Sequence, residues 1–292
     1  MLSKVIGTAV ISAALYYFLS PRKASALYRN LLFHPTALPD VLSLSMIAEA
    51  FGGSPEEVYF ESEGKFAGKA QLHGWFFPAA KSSADSGITV LFSHGNSGNL
   101  GDRYTTVKWL TNFGLSVFVY DYRGFGRSEG KPSVNGVAQD GLAAYDYLLS
   151  RGIEPGKIVL YGESLGVAVS TFVAEKRHAA AMILQSGFSS LRRIALETFP
   201  LLQIYPKSLF PAPALNSDEI LANCNIPVLI CHGQIDATVG VHHARKLFAS
   251  AAGPKSLLIV ENGAHSDLIE DYAEEMSAAL RELLSSIPAY KV

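Results

Sequence analysis

Ser164 lies in a glycine-flanked segment of the kind that presents a serine hydroxyl for attack on a carbonyl carbon. Residues 162–166 read GESLG, follow an apolar run at 158–161 and precede a stretch of helical character. Small residues on both sides of a serine allow a sharp turn from strand to helix, and the helix N-terminus then faces any negative charge that develops. With 25 glycines in the chain, this pattern would arise by chance in about one such sequence in five, so it needs support from other residues.

A base and an acid follow Ser164 in the order that this chemistry requires. A serine hydroxyl needs a base, and a histidine held in one tautomer by a carboxylate serves at neutral pH. Asp236 ends the segment 232–236 (HGQID), directly after an apolar run, and His265 lies in 263–267 (GAHSD), after the next apolar run. We therefore predict a triad in which Ser164 attacks, His265 moves the proton and Asp236 orients the histidine.

The other histidines considered and a second nearby acid are weaker candidates. His232 ends a strand-like run, and His242 and His243 open a helical stretch, so each is predicted to be a packing or surface residue. Asp267 stands only two residues from His265, too close in the chain to orient the ring in the usual way. We predict that Asp267 is instead a charge at a helix N-terminus.

Two backbone N–H groups are predicted to stabilise an oxyanion. Leu165 directly follows the nucleophile, so the geometry of the turn makes its N–H one donor. The second donor is predicted to be the N–H of Asn96 in residues 93–99 (SHGNSGN), where glycines let the backbone approach a substrate closely. The alternative is that these glycines only form a turn. His94 is predicted to be structural.

A second glycine-containing loop follows the apolar run at 116–120. Residues 121–128 (DYRGFGRS) lack the third glycine and the following helix of a nucleotide-binding loop. We predict that an Asp/Arg pair within this segment orders the loop.

Short apolar runs alternate with helical stretches through most of the 292 residues. Runs that are apolar on both faces suit strands covered by helices on both sides. The predicted strands are 57–61, 70–77, 88–93, 116–120, 157–161, 179–184, 227–231 and 256–260, and the predicted helices are 100–113, 133–150, 165–176, 241–251 and 267–286. The pattern predicts one α/β domain with a mainly parallel, doubly wound sheet entered by an antiparallel hairpin. Ligands of such sheets bind beyond the carboxyl ends of the strands.

Two stretches depart from this alternation. Residues 27–55 contain three prolines and no sustained period, which predicts a connecting arm packed on the domain. Residues 185–225 contain four prolines among large apolar residues and are too long for a plain helix-to-strand connection. We predict that they form a small apolar cap over the site. Ordinary packing of extra helices is the alternative.

The N-terminus carries an apolar run at residues 5–19 (VIGTAVISAALYYFL), preceded by Lys4 and followed by SPRK. In a helix such a run reaches about 22 Å, short of the roughly 30 Å of a hydrocarbon core. We predict an uncleaved membrane anchor within residues 1–26, ahead of the α/β domain at 27–292. The alternative is a signal peptide, whose cleavage would leave a secreted or periplasmic protein. Charges on the two sides of the run nearly balance, so its orientation is open.

Composition excludes several classes of function. The apolar fraction of 49% and the charged fraction of 17% exclude a disordered chain. A net charge of -2 without any block of Lys and Arg gives no reason to expect nucleic acid as a partner. Cys224 and Cys231 have no spacing typical of a metal site and are predicted to be buried thiols. No metal and no cofactor are predicted, and the oligomeric state is open.

These segments together resemble the α/β-hydrolase superfamily and, within it, the Bem46-like group, which includes α/β-hydrolase domain-containing proteins of types 13 and 17. The matching pieces are 94–99 (HGNSGN), 121–130 (DYRGFGRSEG), 161–166 (YGESLG), 232–236 (HGQID) and 263–265 (GAH). They cover nearly all of the chain after the predicted anchor. Two departures are Val167, where many relatives have a second glycine, and Gly240, where a proline is frequent.

The resemblance implies a membrane-anchored serine hydrolase that acts on acyl esters or on protein S-acyl thioesters. The run at 5–19 is similar to the N-terminal anchors of that group. The expected substrate is accordingly a small molecule or an acylated protein. Two alternatives remain open, because the same triad can cleave amide or peptide bonds and the same fold can carry a binding module without catalysis.

Overall fold

The protein folds around a central sheet, as described by a computed structural model for residues 11–39, 44–51, 53–64, 67–80 and 85–290. The strands of this sheet are β2 (Glu56–Gly64), β3 (Gly68–Phe77), β4 (Thr89–Ser93), β6 (Ser116–Tyr120), β7 (Ile158–Glu163), β8 (Ala181–Gln185), β9 (Val228–Gly233) and β10 (Lys255–Val260). Their order across the sheet is β10-β9-β8-β7-β4-β6-β3-β2. A separate parallel pair joins β1 (His34–Pro35) to β5 (Ser97–Gly98).

The central sheet is parallel except at one edge. Strands β4 and β6 to β10 pair in parallel, whereas β2 and β3 form an antiparallel hairpin and β3 joins β6 in antiparallel fashion. Strands β4, β7, β8 and β9 are buried at every residue, so their sequences are largely apolar on both faces. Edge strand β2 alternates exposed and buried residues over most of its length. The predicted sheet with its entering hairpin is confirmed.

Helices cover both faces of this sheet. They are α1 (Ser25–Leu32), α2 (Leu44–Phe51), α3 (Tyr104–Asn112), α4 (Val134–Ser150), α5 (Leu165–Lys176), α6 (Leu191–Thr198), α7 (Ser217–Leu221), α8 (His242–Ser250) and α9 (Ala273–Ser285). One core joins α4 and α5 to side chains such as Leu160 and Met182. The other core joins α3 and α9 to the opposite face, including Tyr161 and Ile183. Successive residues of a strand point to opposite faces, so neighbours such as Leu160 and Tyr161 enter different cores.

Two parts of the chain differ from the sequence-based prediction. The arm predicted at 27–55 includes α1 and α2, each eight residues long, and helices this short give too few turns for a periodic pattern to stand out. The last helix is predicted to begin at residue 267, but α9 begins at Ala273. Asp267 instead accepts a hydrogen bond from Ala264 N–H (2.9 Å) and closes a turn. The prediction of a helix-terminal charge at Asp267 is therefore wrong.

Residues 185–225, predicted as a cap, fold into short helical pieces separated by prolines. After α6 come 3₁₀ turns at Pro200–Ile204 and Lys207–Leu209, and then α7. Leu191 and Leu215 pack into the core on the α4 and α5 side of the sheet. Three other buried side chains form a small separate cluster: Leu202, Tyr205 and Phe210.

Residues 11–18 are helical and are termed here the N-terminal helical segment. The segment lies against residues 199–210: Tyr16 Oη donates to Ile204 O (2.6 Å), and the Tyr16 and Tyr205 rings stack with centroids 4.8 Å apart. Within the described part of the chain, no helix has the length and apolar character needed to cross a membrane. Residues 5–10 of the predicted anchor lie outside the described residues.

Arg123 of the segment predicted to hold an Asp/Arg pair is buried, but its acidic partner lies outside that segment. Its Nη2 contacts Asp140 Oδ1 at 2.7 Å and also donates to Ser62 Oγ at 3.0 Å. Asp121 accepts instead from Leu100 N–H at 2.8 Å. The partner of Arg123 comes from helix α4, so the loop motif alone could not reveal it.

We expect Arg123→Met to lower the free energy of unfolding by about 3–5 kcal/mol, because it leaves the Asp140 carboxylate buried without its charged partner. Urea unfolding measures this change. Arg177→Met is the matched control, since Arg177 binds Asp146 through two hydrogen bonds near the surface (2.8 and 2.9 Å), and its loss should cost about 1 kcal/mol or less. Equal effects of the two substitutions would contradict the role assigned to Arg123.

Candidate active site

Ser164 stands at a sharp turn between β7 and α5. Strand β7 ends at Glu163 and α5 begins at Leu165, so the serine is the single residue between them. Its φ of 54° lies in a region that L-residues rarely adopt, and such a conformation persists only where the surrounding structure enforces it. The side chain retains 8% exposure at the end of the sheet. This is the geometry of a nucleophile at a strand-to-helix elbow.

Gly162 and Gly166 enforce this turn because the backbone passes very close to them. A Cβ on Gly166 would lie 1.8 Å from Ser93 O, and a Cβ on Gly162 would lie 2.4 Å from Gly166 O. Neither contact can be relieved without moving backbone. The pattern GESLG is thus explained by the close packing of α5 against the end of β4.

We expect Gly166→Ala to lower the free energy of unfolding by about 3 kcal/mol, because the new methyl group would overlap the Ser93 carbonyl. Gly156→Ala is the control, since a Cβ at Gly156 would meet nothing within 4 Å, and its effect should stay within about 0.5 kcal/mol. Thermal or urea unfolding of both variants measures the difference. Wild-type stability of Gly166→Ala would contradict the described elbow.

Ser164, His265 and Asp236 meet at the carboxyl ends of the strands. His265 Nε2 lies 3.1 Å from Ser164 Oγ, and His265 Nδ1 lies 2.7 Å from Asp236 Oδ2. Because the carboxylate accepts from Nδ1–H, Nε2 of the neutral ring carries no proton and can accept one from the serine hydroxyl. Both contacts are within the range that proton transfer requires.

Asp236 is held by several donors at once. Its Oδ1 accepts from the N–H groups of Thr238 and Val239, each at 2.8 Å, while Oδ2 lies 3.2 Å from His232 Nε2. Burial alone would raise the pKa of Asp236. Hydrogen bonds from His232, His265 and Val239 N–H outweigh burial and hold that pKa well below its usual value. Asp236 is therefore ionised at neutral pH, as a carboxylate that orients a histidine must be.

His232 has a role at the site beyond the packing role predicted from the sequence. It is fully buried, in agreement with a packing role, but its Nε2 also lies 2.7 Å from Val239 O and 3.2 Å from Asp236 Oδ2. A carbonyl only accepts, so Nε2 carries the proton and donates it between these two oxygens. His232 thus stabilises the Asp236 carboxylate by donating to the same oxygen, Oδ2, that faces His265. Its position four residues before Asp236 was the only signal available in the sequence.

Of the two residues predicted to stabilise an oxyanion, Leu165 directly follows Ser164, and Asn96 follows Gly95. Leu165 is the first residue of α5, so its N–H has no acceptor within the helix. Gly95 lies against the nucleophile, since a Cβ there would be 3.6 Å from Ser164 Cβ. The side chain of the next residue, Asn96, is engaged elsewhere: its Nδ2 donates to Leu32 O at 2.8 Å. The amide group of Asn96 is therefore engaged with another part of the chain, and its predicted role rests on its backbone N–H.

Two neighbouring side chains stabilise the loop that contains Asn96. His94 is fully buried, with Nδ1 2.8 Å from Gly95 O and Nε2 3.2 Å from Asp121 Oδ1, which agrees with its predicted structural role. Arg103, which the sequence analysis did not single out, donates to Ser97 O (2.8 Å) and to Glu163 Oε1 (3.0 Å). Arg103 thereby links this loop to the residue that precedes Ser164.

The described residues include one group with suitable atoms for a metal. Glu197, His242 and His243 offer three ligand atoms within 4.8 Å of one another. However, His243 Nδ1 accepts from Ser189 N–H (3.1 Å), so the proton of the neutral ring is on Nε2, which donates to Glu197 Oε2 (2.9 Å). A protonated nitrogen cannot ligate a metal. In this arrangement the group is a hydrogen-bonded cluster, and both histidines have the packing or surface roles predicted for them.

The two cysteines are free thiols at different depths. Cys231 is fully buried in β9, and burial raises the pKa of its thiol, so the prediction of a buried thiol is confirmed there. Cys224 is only partly buried, so the same prediction is wrong for Cys224. Cys224 lies in the connection between α7 and β9, ahead of the apolar strand that contains Cys231.

A doubly wound sheet with a strained serine elbow at one strand end, and with His265 and Asp236 at two others, defines a hydrolase of the α/β class. The family model described as serine aminopeptidase, S33, matches residues 85–218. The chain is 33% identical over 217 residues to YfhR of Escherichia coli K12, which covers 70% of this chain and 75% of YfhR. It is 34% identical over 209 residues to α/β-hydrolase domain-containing protein 17B of Xenopus tropicalis, which covers 70% of each.

Solved structures agree at the level of the fold. The Pyrococcus furiosus esterase Pf2001 superposes with a TM-score of 0.66 at 18% identity, covering 87% of this chain and 97% of the esterase. A lipase described as putative from Acinetobacter baumannii gives a TM-score of 0.61 at 15% identity, covering 86% and 99%. The chain belongs to the α/β-hydrolase superfamily. Its 34% sequence identity to α/β-hydrolase domain-containing protein 17B confirms the resemblance drawn from the sequence. It is a hydrolase with the architecture of esterases and lipases.

Proposed function

We propose that this hydrolase cleaves acyl esters or thioesters through an acyl-enzyme intermediate on Ser164. The observation that carries the proposal is the continuous relay from Ser164 Oγ through His265 to Asp236, with contacts of 3.1 and 2.7 Å. The strained turn at Ser164 and the ionised state of Asp236 support it independently.

In the proposed mechanism, His265 Nε2 takes the proton of Ser164 as Oγ attacks the acyl carbon. The N–H groups of Leu165 and Asn96 stabilise the oxyanion of the tetrahedral intermediate. His265 then donates its proton to the leaving alcohol or thiol. Water, deprotonated by His265, attacks the acyl-enzyme. The acyl–Oγ bond then breaks, His265 returns the proton to Ser164 Oγ, and the acid is released, while Asp236 stays ionised throughout.

The chemistry around residues 185–225, which we propose as a cap, favours an acyl chain over a free amino terminus. The acidic residues of this segment are Glu197, Asp218 and Glu219. Glu219 pairs with Lys207 (3.1 Å), and Asp218 Oδ1 accepts from Glu219 N–H (2.9 Å). Glu163 binds Arg103 (3.0 Å), and Glu197 binds His243 (2.9 Å). Carboxylates already paired in this way are poor candidates for holding the amino terminus of a peptide.

A substrate panel tests the proposal against its alternatives. The full chain is assayed in detergent with matched acyl esters, thioesters and anilides of increasing chain length, because the N-terminal helical segment contacts residues 199–210. We expect esters and thioesters to be cleaved faster than anilides. Faster cleavage of amides would favour the peptidase alternative that the family description raises, and absence of turnover on every substrate would favour a binding module.

We also propose that residues 1–26 anchor the protein in a membrane and that residues 27–292 form the hydrolase domain. The apolar run at 5–19, followed by Arg22 and Lys23, supports this organisation. Mass spectrometry of the mature N-terminus separates it from a cleaved signal peptide, since cleavage would remove these residues. Retention of residues 1–26 in a membrane fraction is the expected result.

A further inference from the structure

Exposed apolar side chains are concentrated in the N-terminal region and in the turn that it contacts. Four side chains of the N-terminus are 50–65% exposed, and two from the 3₁₀ turn at Pro200–Ile204 are exposed by 82% and 59%. These six side chains, termed the apolar face, are Ile11, Leu15, Phe18, Leu19, Leu201 and Ile204. Single exposed apolar residues are common on proteins, but a contiguous group marks a surface for interaction.

The apolar face is continuous across two parts of the chain that are distant in sequence. Ile11, Leu15, Phe18 and Leu19 have the spacing i, i+4, i+7 and i+8, so they form one stripe of a helix. The Tyr16 hydroxyl donates to Ile204 O, and the Tyr16 ring stacks on a neighbouring tyrosine of the turn. These contacts hold the turn beside the helical stripe.

The two segments that form the apolar face, residues 1–39 and 198–217, carry acidic residues at no position and basic residues at several. Arg22 and Lys23 directly follow the stripe, and Arg22 is fixed against the turn region, because its Nη1 donates to Ser208 O (3.0 Å) and its backbone N–H to Leu209 O (2.9 Å). An apolar surface with cations at its rim is the pattern that binds anionic lipid bilayers.

We propose that the apolar face docks on a phospholipid bilayer with anionic headgroups, and that Leu201 and Ile204 of the hydrolase domain enter it beside the N-terminal helical segment. This goes beyond an anchor at residues 5–19, because it places a surface of the domain itself in the membrane. It depends on neither the triad nor the proposed reaction. A second copy of the chain fits the face less well, since two cationic rims would then face each other.

Fluorescence of tryptophan placed at the face tests this proposal. In the full chain, Leu201→Trp is mixed with anionic vesicles whose acyl chains carry bromine, which quenches tryptophan in contact with it. The emission attributable to residue 201, taken as the difference from the wild-type chain, should shift to the blue and lose more than about half its intensity. Leu201 is the most exposed of the six side chains, so the substitution should leave the fold intact.

Ala278→Trp is the matched control, because Ala278 is exposed on α9, which packs on the opposite face of the sheet from the α4 and α5 layer. Its emission should not respond to brominated lipid. The double variant Leu201→Gln/Ile204→Gln should bind vesicles about tenfold more weakly, since two apolar side chains would no longer be buried. Ser164→Ala should bind like the wild-type chain, which separates this test from the proposed reaction.

Three results would overturn the proposal. Vesicle binding with no quenching at residue 201 would mean that residues 5–19 hold the chain alone. Absence of vesicle binding by the full chain would remove the bilayer as the partner. A dimer that forms without lipid and is lost in Leu201→Gln/Ile204→Gln would assign the apolar face to a second copy.

Discussion

Replacing Ser164 with alanine is expected to lower kcat for acyl ester hydrolysis by about 10⁵- to 10⁶-fold, with little change in KM. The hydroxyl oxygen is the attacking atom of the proposed reaction. Without it, His265 Nε2, which lies 3.1 Å from Ser164 Oγ, has no nucleophile to deprotonate in the acylation step. Residual turnover should reflect only substrate binding and the two oxyanion donors. Steady-state kinetics of the full chain in detergent measure the loss.

Ser170→Ala is the matched control for this substitution. Ser170 is a buried serine of α5, the helix that follows Ser164, and its Oγ has no hydrogen-bond partner among the described residues. Alanine should therefore be tolerated there, with kcat within about twofold of wild type. An equal loss in both variants would indicate damage to α5 instead of loss of a nucleophile. Full activity of Ser164→Ala would refute the proposed mechanism.

Asp236→Asn is expected to lower kcat by about 10⁴-fold while leaving the fold intact. The carboxylate accepts from His265 Nδ1–H at 2.7 Å. An amide that presents its NH₂ group there would favour the tautomer with the proton on Nε2, which cannot accept the serine proton. The loss should therefore fall on kcat, and circular dichroism should show the wild-type fold.

Asp267→Asn separates the two acids near the histidine. The Asp267 carboxylate accepts only from Ala264 N–H (2.9 and 3.0 Å) among the described hydrogen bonds. Its substitution should therefore alter the loop slightly and cost kcat about tenfold or less. A loss at Asp267 that matches or exceeds the loss at Asp236 would contradict the assignment of the orienting acid.

Much of the architecture could be predicted because it depends on local sequence. The strand at 116–120 and the helix at 165–176 agree with β6 and α5 at both ends. In a doubly wound fold the strand ends converge on one edge, so the order of Ser164, Asp236 and His265 in the chain was enough to predict a shared site. Gly162 and Gly166 also pointed to this site in the sequence, because the close backbone packing of a sharp strand-to-helix turn requires glycine there.

The contacts that stabilise the site could not be predicted, because they join residues far apart in the chain. Arg103 links the loop after β4 to Glu163 at the end of β7, and these meet only after β4 and β7 have paired. Arg123 binds Asp140 on helix α4, although Asp121 is only two residues away in the chain. His232 resembled an ordinary strand end in sequence, and its role depends on how the loop at 233–239 folds back over it.

Labelling with a fluorophosphonate tests the central claim most directly, since the reagent bonds covalently to a serine that an adjacent base activates. We expect mass spectrometry of the full chain to locate one adduct, on Ser164, and we expect Ser164→Ala to remain unlabelled. An unlabelled wild-type chain, or an adduct of equal yield on Ser164→Ala, would contradict a nucleophile at this turn.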